Sequence, residues 1–323
     1  MRYFGHRIFQ SLFLLFGVSV LSFAFVELAP GDFFDEMRLN PQISSETVAN
    51  LRREYGMGQP LPVRYFRWLN SATRGEFGFS FAYDAPVAPL LWSRARNTLL
   101  LTGSATLLTW LVALPSGILC AVKYRTWVDH VGGAVTSLLL ATPDLLLALG
   151  LLFLALRTRW LPAGGMLSQE SVDHSRWQQL RNVGAHLAAP ALVLVLVSLP
   201  LLTRHIRAAM IEALDSPCVR AAKAHGLSPR RIVLCHAFPL AMNPLISLFG
   251  LSLGSLLSAS LLTEVVMSWP GLGPFLLEAI LSRDLYVVIG AVMFAALFLV
   301  SGMLLSDLLL FAADPRIRSE NLT

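Results

Sequence analysis

Lysine is almost missing from this 323-residue chain: it stands only at positions 123 and 223, and neither follows a glycine-rich run. A phosphate-cradling G-x-x-x-x-G-K-[ST] loop is therefore excluded, and the chain must borrow any ATP-derived energy. Cysteine is scarce as well. Cys120, Cys218 and Cys235 form no C-x-x-C pair and indicate no disulfide framework. The histidines (His6, His130, His174, His186, His205, His225 and His236) show no H-E-x-x-H and no Cys/His spacing suited to zinc, so no metal or cofactor is expected on this chain. No nucleophile stands beside a base within one short motif, so neither a catalytic residue nor enzymatic activity is expected. Charge of either sign is thin, at 14% of residues.

What fills the chain instead is apolar. Hydrophobic residues make up 55%, too many for a soluble protein of this length. A membrane-spanning helix needs ~20 consecutive, mostly apolar residues, and six such stretches stand at 8–28, 98–122, 131–156, 186–203, 240–263 and 286–312. The expected fold is an all-α polytopic membrane protein with six transmembrane helices. Arg2, His6 and Arg7 ahead of the first stretch also suit a cleaved signal peptide. No small-x-small cleavage pattern follows, so the stretch is read as a span.

Orientation follows from the cations. With the N-terminus inside, Lys and Arg divide almost evenly, but a long translocated segment does not count in such a tally. Setting aside 30–96 leaves twelve inside against five outside, so both termini are expected in the cytoplasm. The net charge of +5 comes mainly from arginines spread along membrane-flanking loops, which gives no reason to expect a nucleic-acid partner.

In chain order, the external segment opens at Leu28-Ala29-Pro30-Gly31-Asp32. A short surface helix is expected from Ser45 to Tyr55, capped by Ser44 or Ser45 and ended by Gly56. Tyr65 and Trp68 follow; they serve either as the core of an external cap or as substrate contacts. Asp129 is read as a cap of the third span. Inside that span stands Pro143-Asp144. An ionised carboxylate at the middle of a spanning helix costs at least ~2.5 kcal/mol on insertion scales, so Asp144 is expected to face a cavity or to bond a neighbouring helix. Pro190 and Pro200 suggest a bent fourth span. Gly250 and Gly254, at GxxxG spacing among serines, predict close packing against another helix of this chain or of a partner. Glu264 then leads into Ser268-Trp269-Pro270-Gly271, where Trp269 suits either a gate or an aromatic anchor at the membrane surface.

The longest polar interruption of the second half is 215–239. Asp215 or Ser216 can cap a helix that accepts Pro217 in its first turn, Gly226 can end it in the left-handed conformation, and Ser228 and Pro229 can open a second helix. Two short helices joined at a glycine elbow would then present Arg220, Lys223, Arg230 and Arg231 to something acidic. His225 and His236 in this stretch suit helix-end hydrogen bonding better than metal.

The residue order here resembles the EAA loop of bacterial ABC importer permeases, specifically the dipeptide/oligopeptide branch. Ala221, Ala222, Gly226, Leu227, Ser228, Phe238 and Pro239 fall in its pattern, while Arg220 stands where the name-giving Glu would be. The external segment is similar to the same branch in L-A-P-G-D, in Q-P-L-P-V-x-Y-x-x-W-L from Gln59 and in G-x-x-G-x-S from Gly75. W-L-P at Trp160, S-W-P-G-L-G at Ser268 and D-P-R-x-R at Asp314 continue it in order. The resemblance implies a type I importer permease fold. It divides the chain into an N-terminal helix with external segment (1–96), a core permease domain (97–318) with its coupling loop at 215–239, and a short tail (319–323).

It further implies a bacterial inner-membrane complex with a second, related permease subunit, two ATPase subunits that use ATP and Mg, and an external solute-binding protein. The coupling residues would be Arg220, Ala221, Ala222, Lys223, Gly226, Leu227, Ser228, Arg230, Arg231 and Pro239. The path or gate would include Pro143, Asp144, Glu264, Trp269 and Gly271. Peptides are the expected cargo; nickel chelates, haem or another solute are the alternative within the family. A stand-alone secondary transporter would show two hydropathy-related halves, which this sequence lacks. An intramembrane enzyme would need a nucleophile paired with a base, and no such pair stands within one short motif.

Overall fold

A proline that follows a long apolar run can bend a helix or end it, and this chain does both. The computed structural model describes residues 2–28, 31, 33–38, 44–54, 58–162, 164–166 and 175–313. Most of the L-A-P-G-D turn, the expected helix stop at Gly56, His174 and the D-P-R-x-R ending lie outside these residues. The described residues form two compact units. One is drawn from Met1–Tyr3, Leu99–Trp269 and Leu299–Thr323, the other from Phe4–Thr98 and Pro270–Phe298.

Helices dominate both units. They are α1 (Arg2–Leu28), α2 (Phe33–Met37), α3 (Ser45–Glu54), α4 (Leu61–Ala72), α5 (Val87–Val122), α6 (Trp127–Ala141), α7 (Asp144–Thr158) and α8 (Arg176–Leu214). After them come α9 (Pro217–Ala224), α10 (Pro229–Ile232), a π-helical turn (Val233–Ala237), α11 (Phe238–Val266), α12 (Leu272–Leu281) and α13 (Leu285–Ala313). Among the described residues, five helices are each long and apolar enough to cross a bilayer, and α6 with α7 makes a sixth if the bent pair counts as one crossing.

That bent pair corrects the expectation of one helix over 131–156 with Asp144 at its middle. The two helices meet at 97°. Thr142 is extended at φ −89° and ψ 120°, as a residue before proline prefers, and Pro143 caps α7 at φ −58° and ψ 140°. Asp144 therefore starts a helix instead of sitting in the middle of one. Its carboxylate lies in the first turn, where the helix dipole favours a negative charge. Pro115, Pro190, Pro200 and Pro244, by contrast, stay inside continuous helices.

In the unit drawn from Phe4–Thr98 and Pro270–Phe298, α1 and α13 flank an aromatic core. Phe23 lies edge-on to Tyr65 with centroids 5.3 Å apart and tilted against Trp68 at 5.2 Å, and Leu285 and Ile289 complete the cluster. The Tyr65 hydroxyl meets Ser19 Oγ at 2.9 Å, and Trp68 Nε1 donates to the Phe77 carbonyl at 3.1 Å. Tyr65 and Trp68 thus hold α4 onto α1. The helix α4 itself is absent from the sequence reading; Pro62 is tolerated because the first helical turn has no need of its missing N–H. Ser44 caps α3, its Oγ accepting from Thr47 N at 3.1 Å.

A two-residue antiparallel pairing of β1 (Phe79–Ser80) with β2 (Ala85–Pro86) precedes α5. Asp284, fully buried, accepts from Ser80 Oγ at 2.6 Å and from Ala82 N at 3.1 Å, tying this hairpin to the turn before α13. Tyr83 in the same hairpin donates to Glu278. Burial, and then the Glu278 carboxylate, push its phenol up to about 12.

In the other unit the glycines of α11 find their neighbour within the same chain. A Cβ at Gly250 would collide with the Ser306 side chain and lie 3.3 Å from the Gly302 carbonyl, while one at Gly254 would strike Leu299. Ser306 Oγ donates to the Ile246 carbonyl at 3.0 Å, so α11 and α13 approach at backbone range.

Candidate functional site: a two-sided hairpin below a helical core

The polar stretch folds as a helix–elbow–helix from purely local signals. Ser216 caps α9, its Oγ accepting from Val219 N at 3.4 Å, and Pro217 occupies the first turn. At the far end Gly226 adopts φ +72°. Gly226 N donates to Lys223 O at 3.0 Å and Leu227 N to Ala222 O at 3.3 Å, the paired bonds of a Schellman stop. Ser228 and Pro229 then open α10.

The hairpin has an inner and an outer side. Val219, Ala222 and Ile232 are buried in one cluster with Ile206 and Met210 of α8 and Ala113 of α5, and Leu227 packs against its edge. Arg220, Ala221, Lys223, Gly226, Ser228, Arg230 and Arg231 are exposed. Four cations therefore project from a base that is part of the hydrophobic core. A cleft of about 480 Å³ separates α10 from the α5–α6 turn, with Tyr124, Asp215 and Lys223 among its walls.

Beyond α10 the helix does not stop. It passes through the π-helical turn into α11, Phe238 N donating to Val233 O, five residues back. Pro239 follows in the first turn of α11. A proline there denies Cys235 its usual acceptor role and crowds it, and the wider turn absorbs both effects. The hairpin and a spanning helix are consequently one rod.

A second fixture was missed by sequence reasoning. Arg207 on α8 grips Asp129 in a bidentate pair, and Asp129 also accepts from Arg125 N at 3.0 Å. The Tyr124 ring lies beneath both Arg207 and Arg125, at 5.2 and 5.1 Å from their guanidinium carbons. One turn earlier Arg204 Nη2 donates to Ser137 Oγ at 2.7 Å. Thr126, not Asp129, is the N-cap of α6, so the expected cap is corrected: Asp129 joins α6 to α8. The signal available in the sequence was the i, i+3 spacing of two arginines at the polar end of α8.

The residues expected along the path do not share one surface. Asp144 and Pro143 are exposed at the bend, whereas Glu264 and Trp269 are fully buried near the end of α11. Trp269 packs with Leu101, Ala191, Leu194 and Leu256, and its backbone amide donates to the Glu264 carbonyl at 2.8 Å. It is a core residue, so the expectation of an aromatic anchor at the membrane surface is corrected. Gly271 belongs to the other compact unit, where it caps α12. There Leu272 N donates to Thr98 Oγ1 at 2.8 Å, and Asn97 Nδ2 donates to the Pro270 carbonyl at 2.8 Å.

Long apolar helices around a core from which a cationic hairpin projects are the architecture of an integral membrane protein. Residues 113–319 match the family described as the binding-protein-dependent transport system inner membrane component, and the chain belongs to that family. Among its relatives are the oligopeptide transport system permease protein AppB of Bacillus subtilis, 32% identical over 98% of each chain, and the dipeptide transport system permease protein DppB of Escherichia coli, 33% identical over 94% of each. The di/tripeptide transport system permease protein DppB of Pseudomonas aeruginosa is 31% identical, over 94% of this chain and 95% of the relative. A solved structure of the MetNI methionine ABC transporter in inward-facing conformations shares the fold. Its TM-score is 0.57 at 17% identity, covering 70% of this chain and 96% of that one.

Proposed function

We propose that the chain is the membrane-spanning subunit of an ATP-driven importer that carries di- or oligopeptides, or peptide-like solutes, into the cell. The near full-length similarity to permeases named for such cargo supports this reading. The observation that carries the mechanism is the two-sided hairpin, cationic outside and embedded in the core inside.

In this reading both termini and the hairpin face the cytoplasm. Two ATPase subunits bind and hydrolyse ATP with Mg, while this chain binds no cofactor. A second, related permease subunit completes the pore as a heterodimer, and an external solute-binding protein delivers cargo. Arg220, Lys223, Arg230 and Arg231 dock on an acidic groove of an ATPase, and Gly226 keeps the elbow. ATP binding draws the two ATPases together, each carrying its hairpin. Because α10 continues into α11 and α9 is packed on α8, the displacement passes into the spanning helices and exchanges inward for outward access. Cargo moves because the two states differ in affinity. Asp144 at the exposed bend lines the path; Glu264, Trp269 and Gly271, all buried, support its outer gate.

The test is uptake of a labelled dipeptide by liposomes containing the full complex, with its binding protein and internal ATP. Gly226→Pro demands φ near −65° where the elbow holds +72°. The expected result is a complex that assembles but no longer couples hydrolysis to uptake. Undiminished uptake with normal ATPase stimulation would sink the proposal.

A further inference from the structure

We propose that a cleft in the unit drawn from Phe4–Thr98 and Pro270–Phe298 binds an oxyanion, carboxylate or phosphate, attached to an apolar body. The cleft holds about 380 Å³ and opens between the last turn of α1, the short helices α2 to α4 and the turn that joins α12 to α13. Guanidiniums of Arg52, Arg64 and Arg283 and carboxylates of Glu27 and Asp35 line it, leaving one positive charge in excess. Two of the cations are partnered: Arg64 Nη1 lies 3.0 Å from Glu27 Oε2 and Arg52 Nη1 3.7 Å from Asp35 Oδ1, with Arg38 reaching Asp35 from outside the lining at 3.9 Å.

Two donors remain. Arg64 is only 8% exposed, yet its Nε has no hydrogen-bond partner among the described residues. A buried donor without an acceptor is costly, and native structures rarely leave one without a reason. Arg283 is the second. Its guanidinium lies against Gly31, at φ +79°, where a Cβ would strike it, so the missing side chain of Gly31 is what leaves room for the charge. Two forked donors beside an open cleft match the geometry of a carboxylate or phosphate.

Leu285 and Val288 of α13 form an apolar wall beside these donors, at the start of a span and opposite the end of another. The ligand therefore combines an oxyanion with apolar substance. A phospholipid headgroup and the C-terminal carboxylate of a short peptide share that chemistry. The inference stands whether or not peptides are the cargo.

The experiment uses the assembled complex in detergent, stripped of lipid. Native mass spectrometry follows retention of added phosphatidylglycerol, and equilibrium dialysis follows labelled dialanine against its C-terminal amide. Arg283→Gln leaves the Arg64–Glu27 pair intact and so spares the fold; Arg64→Gln serves as the second variant. Loss of one charge-assisted fork is expected to weaken the responsive probe roughly tenfold, with Arg283→Lys intermediate. Loss confined to phosphatidylglycerol assigns the cleft to lipid. Loss confined to dialanine, with the amide silent throughout, assigns it to peptide. If Arg283→Gln changes neither probe, the cleft binds no oxyanion and the inference is overturned.

Discussion

Arg207 holds Asp129 through two parallel N–H···O contacts of 2.6 and 2.7 Å, joining the start of α6 to the C-terminal third of α8 across 78 positions of sequence. Asp129 is 7% exposed and the Arg207 side chain 33%, so the pair is neither buried outright nor freely solvated. Removing one partner of a buried pair costs about 3–5 kcal/mol, and partial exposure discounts that to about 2 kcal/mol here. Asp129→Asn is expected to lower the thermal midpoint of the purified complex. The double variant with Arg207→Gln should lose less than the sum of the two singles. Simple additivity would show that the contact carries no coupling.

The close approach of α11 and α13 gives a second prediction. Gly250→Leu drives a branched side chain into Ser306 and the Gly302 backbone, an overpacking expected to cost about 1–3 kcal/mol. Gly103→Ala, where an added Cβ meets nothing within 4 Å, is the control and is expected to be neutral or mildly stabilising. Equal behaviour of the two variants in a detergent-challenge assay would contradict the packing described.

Trp269 supplies a third. As a fully buried member of its cluster it should tolerate Phe but not Ala, the latter costing about 3–5 kcal/mol through the cavity left behind. Protein yield and the thermal midpoint are the measurements. If Trp269→Ala were as stable as the parent, with only transport lost, a direct gating role would replace the packing role.

Tyr83 makes a prediction in pH. Its phenol sits near 12 in the fold against 10 for the free side chain, so the folded state keeps its proton longer than the unfolded one. The resulting stabilisation is complete below pH 10 and fades as pH rises from 10 through 12. Ultraviolet titration of the phenolate should show a late component that Tyr83→Phe removes and Glu278→Gln brings to lower pH. Titration of Tyr83 itself near 10 would contradict the burial and hydrogen bond described.

The hairpin was legible in the sequence because each of its determinants is local: a serine cap, two first-turn prolines, and a glycine at the only position that requires positive φ. The spans were legible for a similar reason, since hydropathy over some twenty residues needs no knowledge of neighbours. What escaped depends on distant partners. The chemistry of Pro143 resembles that of Pro190 or Pro200, yet only the first ends its helix, and nothing within a few residues separates the cases. Asp129 was assigned to its own helix because its true partner lies far along the chain. Trp269 had the address of a membrane-surface aromatic, and only the convergence of Leu101, Ala191 and Leu256 makes it interior.

The π-helical turn at Val233–Ala237 has one more effect. It inserts a residue beyond the ordinary helical repeat, and each residue turns a helix by about 100°. The compass bearing of Arg230 and Arg231 is thus set by that single surplus position, not by the spanning rod above it. Deleting one residue there would leave the length nearly unchanged and swing both arginines about a quarter-turn or more around the axis, so that the chain would present the right charges in the wrong direction.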